Sequence, residues 1–248
     1  MSNPNSPIVN AGFSYVTGLG MAYATTTTLT VATGQARDST NVNDIINSAS
    51  LTFTSTVVGA NGVDVAALTT SSVYALYIIG SSVGKATTAC LASLSATTPT
   101  LPLNYDMFRR IGWIFSDGSS HIIKFWQIGG TGGGRKMYWD VAVSVLSAGT
   151  STTYANVDLS TAVPPLTSSE VNLIATYTPN SATNVAHMLI FGSTATNGMI
   201  EIGGGVAAAQ VSNIVVPSAL NTGKSEIQYK VQTSDTLSLS VSGFTDYL

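Results

Sequence analysis

Turn residues divide this chain into many short segments of β type, and no long segment has the 3.6-residue periodicity of a helix. Residues 26–33 (TTTLTVAT) and 51–58 (LTFTSTVV) alternate apolar side chains with threonine or serine. Residues 73–79 (VYALYII) are almost all apolar, which is typical of a strand covered on both faces. Short strands at this spacing predict an all-β fold, an antiparallel β-sandwich or jelly-roll-like architecture of one or two packed β domains.

The pair Asp117-Gly118 lies between two more β-type segments, 111–116 and 121–128. Because Asp-Gly separates runs of β-branched and aromatic residues, it predicts a β-hairpin. Only two segments, 42–46 and 105–109, are suited to short helices, since each follows a polar or proline-containing loop. Further strands are predicted at 138–146, 171–178, 186–192, 198–202, 212–216, 225–231 and 236–241.

The segment 129–134 (GGTGGG) holds five glycines in six residues, a composition that makes regular structure costly. We interpret it as a linker between a β domain at 25–128 and a second β-sandwich domain at 135–248. A phosphate-binding loop would need a lysine and a hydroxyl residue opening a helix, whereas Arg135-Lys136 leads directly into a β-type segment. Residues 1–24 have little periodicity and are interpreted as an N-terminal arm that becomes ordered on binding.

Charged residues make up only 8% of the 248 positions, against about 25% in an average protein. The net charge is −3 and the basic residues are scattered, so we expect no nucleic-acid partner. Apolar runs are far shorter than the roughly 20 residues of a transmembrane helix, so we expect no membrane insertion. A surface with so little charge is prone to associate, which favours contact with other subunits.

Residue types that carry chemistry are few and scattered. Cys90 is the single cysteine and lies among apolar residues, so a buried thiol without a disulfide is expected. His121 and His187 lie in separate β-type segments and form no zinc-binding pattern. No G-x-S-x-G elbow is present, and we predict no catalytic, cofactor-binding or metal site. A pair of facing carboxylates would still permit glycan cleavage, because sequence alone does not show which acids face each other.

Two groups of charged residues stand out from this background. Arg37 and Asp38 are adjacent in an otherwise uncharged stretch, and Asp106 precedes Arg109 and Arg110 in YDMFRRIGW. We expect such arginine–aspartate pairs to fix local structure or a subunit contact. The alternative is a site for a carboxylate or a sugar acid, since guanidinium groups bind such anions through paired hydrogen bonds.

Aromatic residues are concentrated around the predicted hairpin and the glycine-rich segment, where packing in the core or across strands is the expected role. The alternative is stacking on sugar rings by exposed side chains. These residues are Trp113, Phe115, Phe125, Trp126, Tyr138 and Trp139. The candidates for structure or assembly are then Arg37, Asp38, Asp106, Arg109, Arg110 and Trp113.

Three stretches, LTVATGQARDSTNVNDI, VYALYIIG and LPLNYDMFRRIGWIFSDGSSHIIKFWQ, resemble a recurring module of tailed-bacteriophage virion proteins. Such proteins are described as tail-fibre-like or minor structural proteins. The resemblance runs over residues 28–127, about half of the chain, and departs from the pattern at Leu103-Asn104, where a glycine often precedes the tyrosine. It is carried by Gly34, Gln35, Ala36, Arg37, Asp38, Ser39, Tyr105, Arg109, Arg110, Ile111, Gly112 and Trp113.

The resemblance implies a non-enzymatic structural protein of the virion, made in the host cytoplasm: a tail fibre, a head fibre or spike, or a capsid decoration subunit. It implies a role in particle assembly and host attachment, as a homotrimer that contacts other tail or capsid proteins and a host surface glycan, with no cofactor. Three chains could bury uncharged faces together. The alternatives are a virion-borne glycan-cleaving enzyme (a depolymerase) and a free carbohydrate-binding module, which would expose Trp or Tyr on one sheet face.

Overall fold

The computed structural model describes residues 15–129, 134–166, 168–193, 200–203 and 208–248. Within these ranges the chain forms only β-strands and no helix, which confirms the predicted all-β class. No described segment is therefore a helix able to cross a membrane. Parts of three predicted segments lie outside the described residues: 1–14 of the arm, 130–133 of the glycine-rich segment, and 198–199 of the strand at 198–202.

The N-terminal part of the chain forms two three-stranded antiparallel sheets. The first has the order β1-β4-β5, with β1 (Val16–Gly18), β4 (Gly34–Arg37) and β5 (Asp44–Asn47). The second has the order β2-β3-β6, with β2 (Met21–Tyr23), β3 (Thr28–Val31) and β6 (Leu51–Thr54).

A four-stranded sheet completes this part, in the order β10-β8-β9-β7. Its strands are β7 (Gly62–Val63), β8 (Val73–Gly80), β9 (Ala89–Ser93) and β10 (Met107–Phe115). The strand β8 is buried at every position after Val73, as expected for an apolar strand covered on both faces. Its neighbours β9 and β10 are antiparallel to it, whereas β7 runs parallel to β9.

The C-terminal part forms one nine-stranded sheet that curls into a half-barrel. The order is β11-β12-β19-β14-β17-β18-β15-β16, with β13 pairing β18. The strands are β11 (Phe125–Ile128), β12 (Arg135–Gly149), β13 (Ala155–Asp158), β14 (Ser168–Thr178), β15 (Val185–Ile190), β16 (Ile200–Gly203), β17 (Gln210–Asn221), β18 (Lys224–Lys230) and β19 (Thr236–Asp246).

Both predicted helices are wrong, because the segments 42–46 and 105–109 lead into the strands β5 and β10. In β5, Ile45 is buried and Ile46 is exposed, which is the two-residue alternation of a strand. A single helical turn is costly to nucleate, whereas pairing with β4 satisfies the backbone of β5 at once.

The predicted hairpin at Asp117-Gly118 forms only its turn. The Asp117 amide donates to the His121 carbonyl at 2.9 Å, and Ser116 and Ile122 form an isolated bridge. Beyond it the two strands separate, since β10 pairs with β8 while β11 pairs with β12. The strands diverge because each finds a longer partner in a different sheet.

A common core of buried side chains runs through both parts of the chain. The ring of Phe115, at the end of β10, lies 4.9 Å from that of Trp139 and 6.2 Å from that of Phe244, measured between centroids. The predicted domain boundary at 129–134 stays a prediction. The strand that precedes it, β11, pairs with β12, which follows it.

Candidate functional site

The strands β12 and β19 place successive side chains on opposite faces of the large sheet. In β12, Arg135, Met137 and Trp139 are buried, whereas Lys136 is exposed and Tyr138 is half-buried between them. The buried set faces the N-terminal sheets and the other set faces outward. Each face carries one cluster of residues that could have a function.

The inner cluster, which we call the junction cluster, consists of Arg110, Trp113, Arg135 and Asp246. The Asp246 side chain is only 2% exposed, and its Oδ2 atom accepts hydrogen bonds from Arg110 Nη1 and, at 3.0 Å, from Trp113 Nε1. The Arg110 guanidinium lies 4.8 Å from the centre of the Trp113 ring. Two of the predicted candidates on β10 thus meet a carboxylate of β19 that sequence reasoning did not single out.

Arg135 ties the large sheet to the backbone of the N-terminal sheets. Its Nη1 atom donates to the carbonyls of Leu19 (2.8 Å) and Ile111 (2.6 Å), and its Nη2 atom donates to that of Gly18 (2.5 Å). Burial lowers the pKa of Arg135 to about 10, a cost that the nearby Asp246 carboxylate partly offsets. The side chain is still charged at neutral pH, so the junction cluster connects the large sheet to the N-terminal sheets through charged groups.

The other predicted pair, Arg37 and Asp38, does not form an ion pair between neighbours. Arg37 instead lies 3.1 Å from Asp44, its register partner on β5, and donates to the Val42 carbonyl at 3.0 Å. Asp38 accepts a hydrogen bond from the Val42 amide at 2.9 Å and one from Thr40 at 2.8 Å. Burial raises the pKa of Asp38, but these hydrogen bonds outweigh burial and hold it below its usual value.

Asp106 is separate from the two arginines that follow it. Its carboxylate accepts hydrogen bonds from the Ser82 amide at 2.7 Å and from the Ser82 hydroxyl, and these bonds lower its pKa. The carboxylate therefore ties the loop after β8 to the start of β10. Asp106 and Arg110 of YDMFRRIGW therefore contact different parts of the fold.

Arg109 lines a small cleft of about 170 Å³ beside the junction cluster. Burial and the neighbouring charge of Arg110 both lower the pKa of Arg109. The cleft is lined by Ser39, Tyr77, Ala96, Thr97, Phe108, Arg109, Arg110 and Leu248.

The cysteine and the two histidines show no sign of a reactive or metal-binding site. Cys90 is buried as expected, and burial raises the pKa of its thiol to about 12. His121 lies 3.6 Å from Asp117, and His187 lies 3.3 Å from Glu201. Across the described ranges, no group of three or more His, Cys, Asp or Glu residues is arranged to hold a metal ion.

The outer cluster, which we call the aromatic patch, consists of Trp126, Lys136, Tyr138, Glu170, Asn172 and Tyr247. One row crosses four strands, because Trp126 pairs with Tyr138, Tyr138 with Gly243, and Gly243 with Asn172. The neighbouring row brings Lys136 opposite Thr245, and Thr245 opposite Glu170. Trp126 is 59% exposed, so its ring is accessible to a ligand.

The same outer face continues into a region without charge, which we call the neutral face. Ser144 pairs with Ser240, Ser240 with Ile174, and Ile174 with Asn213. Val211 is 67% exposed on this face and Val215 is 50% exposed. The neutral face consists of Ser144, Ile174, Thr176, Val211, Asn213, Val215, Ser238 and Ser240.

No model of a known protein family matches this chain, and no curated protein sequence does. A comparison with solved structures finds the insecticidal delta-endotoxin Cry8Ea1 from Bacillus thuringiensis, with 9% identity and a TM-score of 0.22. The match covers 94% of this chain and 52% of the toxin chain. A TM-score this low carries no argument about fold or function, so any functional proposal has to rest on the chain's own residues.

Proposed function

We propose that this protein is a non-enzymatic structural subunit of a tailed-bacteriophage virion, a tail fibre, a head fibre or spike, or a decoration subunit. It acts in particle assembly and host attachment, is made in the host cytoplasm and resides on the virion. Two lines support the proposal: the resemblance of residues 28–127 to a virion module, and the neutral face of the large sheet. The neutral face is the observation that carries the proposed self-association, and the resemblance carries the proposed place on a virion.

The neutral face is suited to a second copy of this chain. Burying it desolvates no charge, because its polar members are hydroxyls and one amide that can exchange hydrogen bonds across an interface. The two exposed valines, Val211 and Val215, add apolar area to be removed from water. Closed symmetry is the rule for such contacts, and the resemblance to virion proteins implies three copies, so we propose a homotrimer in which each copy buries this face.

Two clefts in the described part of the chain give less support to the alternative of a glycan-cleaving enzyme. Such enzymes hold two carboxyl groups about 5–10 Å apart across the scissile bond. The cleft beside Arg109 is lined by no Asp or Glu, and a second cleft of about 320 Å³ is lined by one, Asp64. The junction-cluster carboxylate of Asp246 is only 2% exposed and its Oδ2 atom accepts from Arg110 and Trp113, so it is not accessible to a substrate.

The test is the solution mass of the protein by light scattering, for the wild type and for the double variant Val211→Lys/Asn213→Lys. We expect the wild type to have three times the mass of the chain. We expect the variant to be monomeric and folded, with the circular dichroism spectrum of the wild type, because two charges would be buried without partners at every interface. A matched control is Val83→Lys, which adds a charge at an equally exposed valine far from the neutral face.

A wild type that is monomeric at every accessible concentration would contradict the homotrimer. A double variant that stays trimeric would show that a different surface forms the interface. A Val83→Lys protein that also dissociates would show that added charge, and not its position, is responsible.

A further inference from the structure

We propose that the aromatic patch is a carbohydrate-binding site for a neutral oligosaccharide laid across the strands of the large sheet. Such a ligand would be the partner in the host contact proposed above, and its biological role rests on that proposed function. Its chemistry stands on the geometry of Trp126, Tyr138 and the polar groups around them.

Trp126 is an aromatic ring held open to solvent. It lies on β11, the edge strand of the sheet, and its Nε1 atom donates to Asp140 Oδ1 at 3.4 Å. Lys124 lies 3.0 Å from the same Asp140 oxygen, with its Nζ atom 5.6 Å from the centre of the indole. A ring fixed by its neighbours loses little entropy when a ligand stacks on it. The C–H groups on one face of a sugar ring suit the electron-rich face of an indole.

Tyr138 extends this platform across the sheet. It is the direct register partner of Trp126, and Gly243 follows on the next strand. A Cβ atom at Gly243 would lie 3.0 Å from Tyr138 Cδ1 and 2.2 Å from the Met137 carbonyl oxygen, so the tyrosine ring lies against the glycine. Two aromatic side chains and a bare backbone thus form one continuous row.

Polar groups lie at the end of the row and beside it. Asn172, the register partner of Gly243, offers an amide three strands from Trp126, a distance of about 14 Å at ordinary strand spacing. Lys136 and Glu170 are both exposed in the adjacent row, where they offer one donor group and one acceptor group. Sugar hydroxyls donate and accept, so this mixture of amide, ammonium and carboxylate suits a hydroxyl-rich ligand that carries no net charge.

Tyr247 closes the far corner of the patch. This residue is 56% exposed, and its Cδ1 atom lies 2.9 Å from the position that a Cβ atom would occupy at Gly134. The Tyr247 hydroxyl donates a hydrogen bond to the Glu170 carboxylate, and burial together with this carboxylate raises the pKa of Tyr247. The patch therefore has an aromatic floor at one end and a phenolic hydroxyl at the other.

The composition of the patch favours a sugar over a second copy of the chain. The centre of a protein–protein interface is poor in charged residues, whereas four charged side chains surround Trp126 and Tyr138: Lys124, Lys136, Asp140 and Glu170. The neutral face lies along the same sheet on other residues, and the two surfaces meet where Asn172 of the patch pairs with Val215 of the neutral face. Three copies would display three such sites, which would strengthen a weak contact.

The experiment is calorimetric titration of the full chain with a panel of neutral oligosaccharides built from glucose, galactose, mannose or N-acetylglucosamine. We expect at least one member to bind and to change the tryptophan fluorescence. Trp126→Ala should lose at least tenfold in affinity with an unchanged melting temperature, and Trp126→Phe should retain part of the affinity. Val141→Ser, at an exposed site on the same sheet, is the control and should bind as the wild type does.

A wild type that binds no member of the panel would overturn the proposal, and so would a Trp126→Ala protein that binds with unchanged affinity. Neither result would affect the conclusion about the homotrimer, because the solution mass tests the neutral face and not the aromatic patch. A monomer that binds sugar through Trp126 would instead contradict the homotrimer and favour a free carbohydrate-binding module.

Discussion

Arg135 and Lys136 are neighbours of the same charge that belong to different parts of the molecule. Arg135 points inward and donates to three backbone carbonyls of the N-terminal sheets, and Asp246 lies opposite it on β19. Lys136 points outward into the aromatic patch and is exposed. Because side chains alternate between the two faces of a strand, the position of a charged residue along β12 determines whether it stabilises the core or is exposed to solvent. The inner face is therefore expected to govern stability and the outer face to govern binding.

The largest difference between the two faces is expected when the charge of Arg135 and that of Lys136 are removed in turn. Arg135→Met would leave three backbone carbonyls, two of them in buried hydrogen bonds, without this donor and Asp246 with one cation fewer. We expect the free energy of unfolding to fall by about 3–5 kcal/mol, as when one partner of a buried ion cluster is removed. Lys136→Met should change it by less than about 0.5 kcal/mol, as at an ordinary surface position. Urea denaturation of both variants measures the difference, and equal losses would contradict the assignment of the two faces.

A smaller loss of stability is expected on substitution of Gly243, because the outer face has no room for a side chain at this position. The methyl group of Gly243→Ala would press on the Met137 carbonyl and on the Tyr138 ring, so β12 and β19 would have to separate locally. We expect a loss of about 1–3 kcal/mol, as for other overpacked sites. Gly118→Ala is the control, because no atom lies within 4 Å of its added Cβ. Thermal unfolding compares the stability of the two variants. A Gly243→Ala protein with wild-type stability would show that β12 and β19 can separate locally without a cost.

The smallest effect concerns pH and the carboxylates that the fold holds in their charged form. Burial raises the pKa of Asp235, but hydrogen bonds from Tyr177, Asn180 and Asn184 outweigh burial and lower it. Because the folded value lies below the unfolded value of about 3.9, the unfolded state binds more protons in this range and stability falls as the pH falls. Asp38 behaves in the same way. We expect Asp235→Asn to lose stability at neutral pH and to show a shallower decline in acid, measured by urea unfolding from pH 6 to pH 3; a parallel decline would contradict the role of Asp235.

The sequence predicted the strands better than it predicted their partners. The apolar run of β8 and the alternation of β3 and β6 follow from local pattern, since side-chain period reports which faces are covered. The turn at Asp117 was also visible, but the separation of β10 from β11 depends on partners far along the chain. The local sequence does not indicate this pairing, because two strands joined by a tight turn have the same sequence pattern whether they pair with each other or separate.

The candidate sites show the same limit. Arg110 and Trp113 could be selected from YDMFRRIGW, but their acceptor Asp246 lies more than a hundred residues away and carries no motif. Arg135 was visible only as the neighbour of Lys136, although its phase with Met137 and Trp139 was a usable sign that it faces inward. The alternation with Phe125 likewise indicates that Trp126 lies on the opposite face of its strand. It does not indicate whether another segment of the chain covers that face, which decides whether Trp126 is exposed.

The position of β19 in the large sheet also governs when the protein can fold. This strand follows all the others in the chain, yet it lies between β12 and β14 and pairs with both. The small N-terminal sheets join strands close in sequence and can form while the chain is being synthesised. The centre of the large sheet must wait for the last strand to emerge, with β12 and β14 left unpaired on that side. Pairings of such long range fold slowly, and unpaired edges invite association, so a nascent chain would be most vulnerable to aggregation just before β19 inserts.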